Sequence, residues 1–449
     1  MKKQALKAPE WLLTSPVYQV MLRTFSPSGT IESLTEELPF LADLGFRIIY
    51  LCPVFEEDDS QNRDNWSYRQ KKSETGNPKN PYRIKNYFNI DPEYGSMEDL
   101  ETLVRTAHAL GQRVILDLVY AHIAPNACVI KQHPEFAEQD EKGDFICTEW
   151  HFPKLDFNCR GLREYLWGNM VYYISVLDVD GFRCDVGDVP PDDFWTEGRK
   201  RIEAIKSDAV LINEGSDFSR MLSSFHSSYT FGWHNTVKDI LDKNATAADL
   251  RKADEAYTLT VPHGAYLVRD MDNHDTVTDW DGRIEAVYGH ACMEMIQALN
   301  YTIRGIPMVY AGNELADTSN QSLFANRFYM GQFQTANRSL KSGDAAVRRQ
   351  EVFKVLNRMK NKNEVIIHGS TKWLDNDAEG STVSFAREYS GKRVVFIGNL
   401  STNKVNCKVD SVLDIPDRIL LEGKDGFFVR NGEISLSPFG YLIFEEETQ

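Results

Sequence analysis

The chain has 449 residues, 42% of them hydrophobic, which is enough for one large core and a smaller appended domain. Its 50 basic and 66 acidic side chains give a net charge of −16, which argues against a nucleic-acid or anionic-membrane partner and favours a neutral one. The sequence contains neither a signal-peptide-like apolar run near its start nor a continuous apolar stretch that could span a bilayer, so a cytoplasmic location is expected. The seven cysteines lack C-x-x-C spacing, which predicts neither a zinc framework nor a disulfide scaffold.

Strand-like and helix-like patterns alternate through the first 310 residues. Apolar residues at helical spacing over 31–44, ended by Gly45, are typical of the helices that separate the strands. The predicted strands cover 17–23, 47–51, 113–117, 181–185, 209–214, 228–231, 266–269 and 305–310, with 228–231 the weakest. Eight strands alternating with helices predict an α/β fold built on a closed parallel (β/α)8 TIM barrel.

Two stretches interrupt this alternation. Residues 53–95 show no sustained period but carry seven aromatic side chains, and residues 123–160 form a second irregular excursion, after the third strand. Loops this long in a compact domain are usually functional or disordered, and the aromatic residues of the first favour function.

The sequence pattern changes again near residue 365, where short apolar strands are separated by Gly, Asn and Asp turns. This pattern predicts a C-terminal antiparallel β domain. The predicted domains are therefore a catalytic barrel over 1–122 and 161–365, a short inserted domain over 123–160, and a β-sandwich over 366–449.

Three carboxylates stand at predicted strand ends, namely Asp185, Glu214 and Asp275. Active sites of such barrels lie at the carboxyl ends of the strands, so these side chains are expected to converge there. Singly, each has a structural interpretation: an ion pair of Arg183 with Asp185, a strand–loop junction at Glu214, and a turn or N-cap at Asp275. Together, with aromatic residues nearby and no phosphate or metal motif, they indicate glycoside hydrolysis.

Four motifs at these strand ends occur in the order known for one enzyme family. Asp117 to His122 is similar to D-x-x-x-N-H, Gly181 to Asp185 to G-F-R-x-D, and Asn273 to Asp275 to N-H-D, with Glu214 at the position of the acid. On these residues the chain resembles the α-amylase family of glycoside hydrolases, over nearly its whole length.

The resemblance implies a role for each matched residue. Asp185 would be the nucleophile that forms a covalent glucosyl-enzyme, Glu214 the general acid and then base, and Asp275 the group that holds sugar hydroxyls and stabilises the positive charge of the transition state. For a retaining pair, the Asp185 and Glu214 carboxyls are expected to lie about 5–5.5 Å apart. The substrate-binding residues that the resemblance implies are Tyr82, Asp117, His122, Arg183, Asn273 and His274. Among them, Arg183 would orient Asp185, the histidines would donate hydrogen bonds to the sugar, and Tyr82 would stack on its ring.

The chain departs from the family pattern where calcium commonly binds. Ala121 replaces the family's Asn, and the segment 26–30 lacks the Asp-rich metal loop of some relatives, so no metal or other cofactor is expected. The acidic run 56–59 could recruit a cation, although such a run is more often a solvated face.

The chain also departs from the family pattern on the side of the cleft that would bind the leaving group, because Asp188 and Val189 stand where the family often has Lys-His. The segment 152–158 leans towards neopullulanases and cyclomaltodextrinases, which usually carry an extra N-terminal domain, whereas here the first predicted strand begins by Val17.

The expected activity is therefore retaining hydrolysis of α-glucosidic bonds, α-1,4 in the first instance, in maltodextrin- or starch-type glucans. Alternatives within the family are neopullulanase- or cyclomaltodextrinase-like, α-glucosidase and transglycosylase activities. A non-catalytic glucan-binding protein is a more distant alternative, since such proteins typically lose a catalytic carboxylate and this chain keeps all three. The expected partner is a neutral α-glucan, with no nucleic acid and no membrane.

Overall fold

The barrel is formed by strands from the first 310 residues of a computed structural model, which describes residues 2–280, 282–319, 321–325, 343–412 and 418–447. In chain order these strands are β1 (Val17–Val20), β2 (Ile48–Leu51), β3 (Phe55–Glu57), β4 (Ile84–Ile90), β5 (Arg113–Leu118), β6 (Gly181–Cys184), β7 (Val210–Asn213), β8 (Ser227–Ser228), β9 (Tyr266–Arg269) and β10 (Ile306–Tyr310). All except β3 and β4 close into a parallel barrel in the order β1, β2, β5, β6, β7, β8, β9, β10. The predicted (β/α)8 barrel is confirmed.

Both faces of the barrel strands are buried, which explains their continuous apolar runs. Along β2, Ile48 and Tyr50 belong to the cluster inside the barrel, whereas Ile49 and Leu51 pack in the cluster beneath the surrounding helices. Strand β8 has only two residues, Ser227 and Ser228. Their hydroxyls donate to neighbouring carbonyls instead of packing, so the apolar pattern of a strand is missing there.

Local sequence signals mark both ends of the helix Ile31–Leu44, which is α3. Thr30 and Ser33 form a capping box at its start, and Gly45 ends it with φ 96°. The helices are α1 (Glu10–Leu13), α2 (Leu22–Phe25), α3 (Ile31–Leu44), α4 (Tyr68–Lys72), α5 (Met97–Ala109), α6 (Cys128–Gln132), α7 (Arg160–Ser175), α8 (Asp192–Glu203), α9 (Phe231–Leu241), α10 (Ala247–Thr260), α11 (Thr276–Asp279), α12 (Ile284–Tyr288), α13 (His290–Thr302), α14 (Asp344–Lys362) and α15 (Glu364–His368). Within the described ranges, no helix is both long and apolar enough to cross a membrane.

The two irregular excursions lie over the barrel mouth. In the first, β3 and β4 pair as an antiparallel ribbon, which the sequence did not reveal because its two strands are separated by 26 residues that include α4. In the second, residues 123–160 hold α6 and a few isolated bridges, among them His122 with Lys154. Both excursions deliver side chains to the pocket described below.

The C-terminal region forms two antiparallel sheets that share one apolar core. The first has the order β11, β12, β13, β18, β15 and the second the order β14, β17, β16. These strands are β11 (Ser370–Trp373), β12 (Thr382–Tyr389), β13 (Lys392–Asn399), β14 (Val405–Cys407), β15 (Ile419–Glu422), β16 (Phe427–Arg430), β17 (Glu433–Leu436) and β18 (Tyr441–Glu447). The predicted antiparallel β domain is confirmed, and it packs on the barrel through contacts such as Tyr441 donating to Glu294 on α13 at 3.0 Å.

Candidate active site

A cavity of about 360 Å³ opens at the carboxyl ends of the barrel strands, and all three predicted carboxylates line it. Asp185 follows β6, Glu214 follows β7, and Asp275 lies on the loop after β9. The other lining residues are Ser67, Arg69, Asn80, Tyr82, His122, Trp150, Phe152, Val186, Asp188, Gly215, Ser216, Phe231, Leu323 and Phe324. The fold therefore brings together carboxylates that lie as far as 90 residues apart in sequence.

Arg183 sits beneath the pocket and joins its carboxylates. Phe182 and Cys184 pack outward in the core, so the strand turns Arg183 and Asp185 inward together, as the two-residue period requires. Arg183 Nη1 donates to Asp185 Oδ1 at 3.0 Å and to Asp117 Oδ1 at 2.7 Å, while Nη2 pairs with Glu214 Oε1. A buried guanidinium with these neighbours supplies the counter-charge that the acids need.

Glu214 is held by the turn that follows Asp185. Val186 donates its backbone N–H to Glu214 Oε2 at 2.9 Å, and Gly187 donates to the Glu214 carbonyl at 3.1 Å. Val186 adopts φ 41°, a left-handed conformation that is a genuine outlier for a β-branched residue. Such strain costs about 1–3 kcal/mol and persists only where the surroundings enforce it, which is common at active sites.

The two carboxyls beside Arg183 are shifted towards their protonated forms. Burial raises the pKa of Glu214 to about 7 although Arg183 opposes the shift, and burial likewise raises the pKa of Asp185 well above its ordinary value. Asp185 Oδ2 is buried and makes no hydrogen bond within the described residues. A raised pKa lets a carboxyl keep its proton at higher pH, which suits Glu214 to donating a proton.

Asp275 is kept ionised by its neighbours. Its Oδ1 accepts from Arg69 Nη2 at 2.7 Å, and its Oδ2 lies 3.5 Å from His274 Nε2. Burial opposes ionisation, but His274 and Arg69 outweigh it and hold the pKa of Asp275 below its ordinary value. Arg69 and the more distant Arg183 supply permanent positive charge near Asp275, whereas burial lowers the pKa of His274 itself.

Tyr82 organises the histidines. Its hydroxyl donates to Asp117 Oδ2 at 3.0 Å and therefore accepts from His274 Nε2 at 2.5 Å, while Gln19 donates to His274 Nδ1 at 2.9 Å. The Tyr82 carbonyl accepts from His122 Nε2 at 2.8 Å. Nε2 of His274 and Nε2 of His122 therefore both donate to Tyr82, one to its hydroxyl and the other to its carbonyl. The ring of Tyr82 also stacks on that of His274, with ring centroids 5.4 Å apart.

His122 presents its other nitrogen as an acceptor. Burial lowers the pKa of His122 to about 4, so the ring is neutral at ordinary pH, and Nδ1 makes no hydrogen bond in the part of the chain that the structure describes. The sequence led us to expect a donor at this position. In the described geometry His122 can receive a hydrogen bond from a sugar hydroxyl.

The remaining predicted residues lie behind the pocket wall. Asp117, Arg183 and His274 are almost fully buried and act through the contacts above. Asn273 accepts from the backbone N–H of Asp275 and of Thr276, both at 2.9 Å, and donates to Asp270 Oδ2 at 2.7 Å. Asn273 therefore shapes the loop that carries Asp275 and does not line the pocket.

Asp188 lines the pocket, although in the sequence it stood out only as a departure from the family pattern. Its Oδ2 accepts the backbone N–H of Ser216 at 2.7 Å and of Asp217 at 3.0 Å, and its Oδ1 accepts from Asn213 at 2.9 Å. A Cβ at Gly215 would meet Asp188 Oδ1 at 2.3 Å, so only glycine permits this approach. Asp188 braces the loop that begins at Glu214.

Several wall residues were missed altogether. Arg69 comes from α4 in the first excursion, Trp150 and Phe152 come from the second, and Phe231 begins α9. Arg69, Trp150 and Phe152 sit in segments without a period, so nothing local in the sequence marks which side chains turn inward. Phe231 was predicted to end the strand 228–231, but that strand is only Ser227–Ser228 and Phe231 begins a helix instead. The aromatic residues of 53–95 pointed to this region as functional but gave no indication of Arg69.

The residues near the usual calcium position do not suit a cation. Ala121 offers no side-chain oxygen, and the acidic run already has basic partners: Glu56 with Lys85 at 3.0 Å, Glu57 with Arg23 at 2.8 Å, and Asp58 with Arg83 at 3.5 Å. Among the described residues, no group of three His, Cys, Asp or Glu side chains is placed to hold a metal. Metal independence remains a prediction.

The chain is similar in sequence to proteins of one enzyme family. The family model described as alpha amylase, catalytic domain, matches residues 14–150. The chain is 24% identical over 459 residues to a cyclomaltodextrinase of Thermoanaerobacter pseudethanolicus, covering 90% of this chain and 73% of that protein. It is 22% identical to an intracellular maltogenic amylase of Bacillus subtilis over 439 residues, with 88% and 69% coverage.

Solved structures share the fold. A noncanonic maltogenic α-amylase from Thermotoga neapolitana superposes with a TM-score of 0.81 at 21% identity, covering 98% of this chain and all of that one. An α-amylase from Lactobacillus plantarum gives the same TM-score and coverage at 22% identity. With the motifs at the strand ends and the carboxylates around Arg183, these matches show that the chain is similar to the α-amylase family of glycoside hydrolases, with residues 14–150 matching its catalytic domain.

Proposed function

We propose that the protein hydrolyses α-1,4-glucosidic bonds in maltodextrins and related glucans with retention of configuration, using Asp185 as nucleophile and Glu214 as acid and base. The observation that carries this proposal is the shared guanidinium: Arg183 contacts Asp185 through Nη1 and Glu214 through Nη2. Carboxyls on neighbouring nitrogens of one guanidinium suit the separation of about 5–5.5 Å in retaining enzymes better than the roughly 6.5–9.5 Å of inverting ones.

In the first step the Asp185 carboxylate attacks the anomeric carbon of the bound glucosyl unit. The bond from this carbon to the glycosidic oxygen breaks, and Glu214 transfers its proton to that oxygen, so the remaining glucan leaves as an alcohol. The raised pKa of Glu214, about 7, keeps the proton available near neutral pH. Arg183 holds Asp185 in position for the attack.

In the second step water opens the glucosyl ester. Glu214, now a carboxylate, removes a proton from water as the oxygen bonds to the anomeric carbon, and Asp185 leaves with the electrons of the ester bond. Two inversions give net retention, and both side chains return to their starting protonation states. Asp275, kept ionised, stabilises the positive charge that develops on the ring in both steps.

The substrate class follows from the charge of the pocket and from the relatives. A site with three carboxylates and aromatic walls from Tyr82, Trp150 and Phe152 suits a neutral sugar with apolar C–H faces. Relatives named cyclomaltodextrinase, maltogenic amylase and neopullulanase support α-glucans as substrates. A cytoplasmic location is proposed as well, with the relative named as intracellular in its support.

A time course on maltoheptaose, pullulan and β-cyclodextrin tests the proposal, with product lengths and the released anomer followed by chromatography and NMR. Short products that appear first as the α-anomer support retaining hydrolysis. Products longer than the substrate would instead identify a transglycosylase, and preferred cleavage of the ring or of pullulan would identify a cyclomaltodextrinase- or neopullulanase-like enzyme. No turnover of any α-glucan would overturn the proposal.

A further inference from the structure

A second cavity, of about 430 Å³, lies beside the active-site pocket. Its lining comes from α4, from α11 with the residue after it, and from the loop after β10, and includes Tyr68, Asp279, Trp280 and Ser322. We call this cavity the side groove. Its volume falls within the range of about 300–1,000 Å³ that small-molecule sites occupy, so it is large enough for a ligand.

Arg69 lies between the two cavities and lines both of them. Its Nη2 donates to Asp275 Oδ1, on the pocket side, at 2.7 Å, and its Nε donates to Asp279 Oδ1, on the groove side, at 2.8 Å. Asp275 directly precedes α11 and Asp279 ends it, so about one helical turn separates the two carboxylates. The three side chains are 33%, 35% and 46% exposed, so a polar surface continues from the pocket to the side groove.

Aromatic side chains line the side groove. Tyr68, the first residue of α4, is 71% exposed, and Trp280 supplies a second aromatic ring. A single exposed tyrosine is ordinary on a protein surface. Two aromatic rings in one groove, together with the Asp279 carboxylate, can instead contact both the apolar C–H faces and the hydroxyls of a sugar.

The charges around the side groove favour a neutral ligand. Among the described residues, Arg69, Lys72 and Asp279 line the groove, and Asp275 pairs with Arg69 from the pocket side. Two positive and two negative side chains leave no net charge, so neither an anion nor a cation is favoured. The groove therefore suits the same class of ligand as the pocket.

Hydrogen bonds within the protein hold both walls of the side groove in place. Ser67 caps α4 by accepting the backbone N–H of Gln70 at 3.1 Å, which fixes the start of that helix. On the other wall, Thr278 donates to the carbonyl of His274 at 2.7 Å and accepts the backbone N–H of Leu323 at 3.1 Å. A groove whose walls are ordered before binding loses less entropy when a ligand binds.

We infer that the side groove binds a glucosyl unit of the same α-glucan chain whose bond is cut in the pocket, with that unit stacked on Tyr68. The inference rests on the proposed function and adds a binding site that the catalytic residues do not supply. A chain long enough to occupy both cavities gains contacts that a single glucosyl ring in the pocket cannot make. The side groove thus gives the enzyme a preference for longer chains.

The test compares maltoheptaose with α-glucosyl fluoride, whose single ring occupies the pocket without reaching the side groove. Tyr68→Ala should lower kcat/KM for maltoheptaose about 3- to 10-fold, the effect of one lost aromatic contact, and leave kcat/KM for the fluoride unchanged. Tyr68→Phe keeps the ring and should retain the wild-type values. Binding of maltoheptaose to Asp185→Asn, measured by calorimetry, should weaken by a similar factor when Tyr68→Ala is added.

Tyr389→Ala is the matched control, since Tyr389 is an exposed tyrosine of β12 that lines neither cavity. It should change neither substrate's kcat/KM, and thermal unfolding should show that every variant is folded. An unchanged kcat/KM for maltoheptaose in Tyr68→Ala, or an equal loss on both substrates, would overturn the side groove as a binding site while leaving the proposed function intact. A wild type that turns over no α-glucan would refute the proposed function, and the inference with it.

Discussion

Asp188 accepts the backbone N–H of Ser216 at 2.7 Å, two residues beyond the acid Glu214. The family often has a lysine at the position of Asp188. Here a carboxylate instead ties the turn after β6 to the loop after β7, so the two strand ends that carry the nucleophile and the acid are fixed to each other.

Replacing Asp188 with Ala should therefore misplace Glu214 without removing any reacting group. The backbone N–H groups of Ser216 and Asp217 lose their acceptor, and kcat on maltodextrin should fall about 10- to 100-fold with a smaller change in KM. Asp193→Ala is the control, because Asp193 is an exposed residue of α8 whose ion pair, among the described residues, is with Arg163 on the surface. An Asp188→Ala enzyme with unchanged kcat would show that the hydrogen bonds of Asp188 do not position Glu214.

Azide rescue should separate the two carboxylates by product configuration. In Asp185→Ala, azide can occupy the space of the lost nucleophile and attack the anomeric carbon of an activated α-glucosyl fluoride, which gives the β-azide by one inversion. In Glu214→Ala, azide should react with the glucosyl-Asp185 ester and give the α-azide. NMR of the two products checks the assignment, and the opposite pairing of variant and anomer would reverse the roles.

The rate should fall as pH rises through the pKa of Glu214. Burial raises this pKa to about 7, so the acid is protonated below that value, and kcat/KM for maltodextrin should be lost progressively above it. With α-glucosyl fluoride, whose leaving group needs no proton, this alkaline decrease should largely disappear. A decrease that is the same for both substrates would assign it to another group.

Much of this site was accessible from the sequence because strand periodicity and motif spacing are local signals. Asp185, Glu214 and Asp275 follow apolar runs whose burial predicts strands, and strand ends in a barrel must meet. Arg69 and Trp150 could not be found in this way. They reach the pocket through loop contacts such as Asn77 with Ala325, which join segments 248 residues apart. The donor and acceptor roles at His122 were also hidden, since they depend on a carbonyl of Tyr82 that only the fold brings close.

Chelation should leave the enzyme unchanged. Ala121 removes a side-chain oxygen from the usual calcium position, and Arg83 already faces Asp58. Dialysis against EDTA should therefore alter neither kcat nor Tm, and added calcium should have no effect. A fall of several degrees in Tm, reversed by calcium, would show that the chain holds a metal after all.

The proposed mechanism is tested most directly by trapping the covalent intermediate. A 5-fluoro-α-glucosyl fluoride should form the glucosyl ester quickly and hydrolyse slowly, so the intact protein should gain the mass of one fluoroglucosyl unit. Peptide mapping should then place that mass on Asp185, and Asp185→Asn should not be labelled. A label on Glu214, or turnover that releases the β-anomer with no trapped ester, would contradict the retaining mechanism through Asp185.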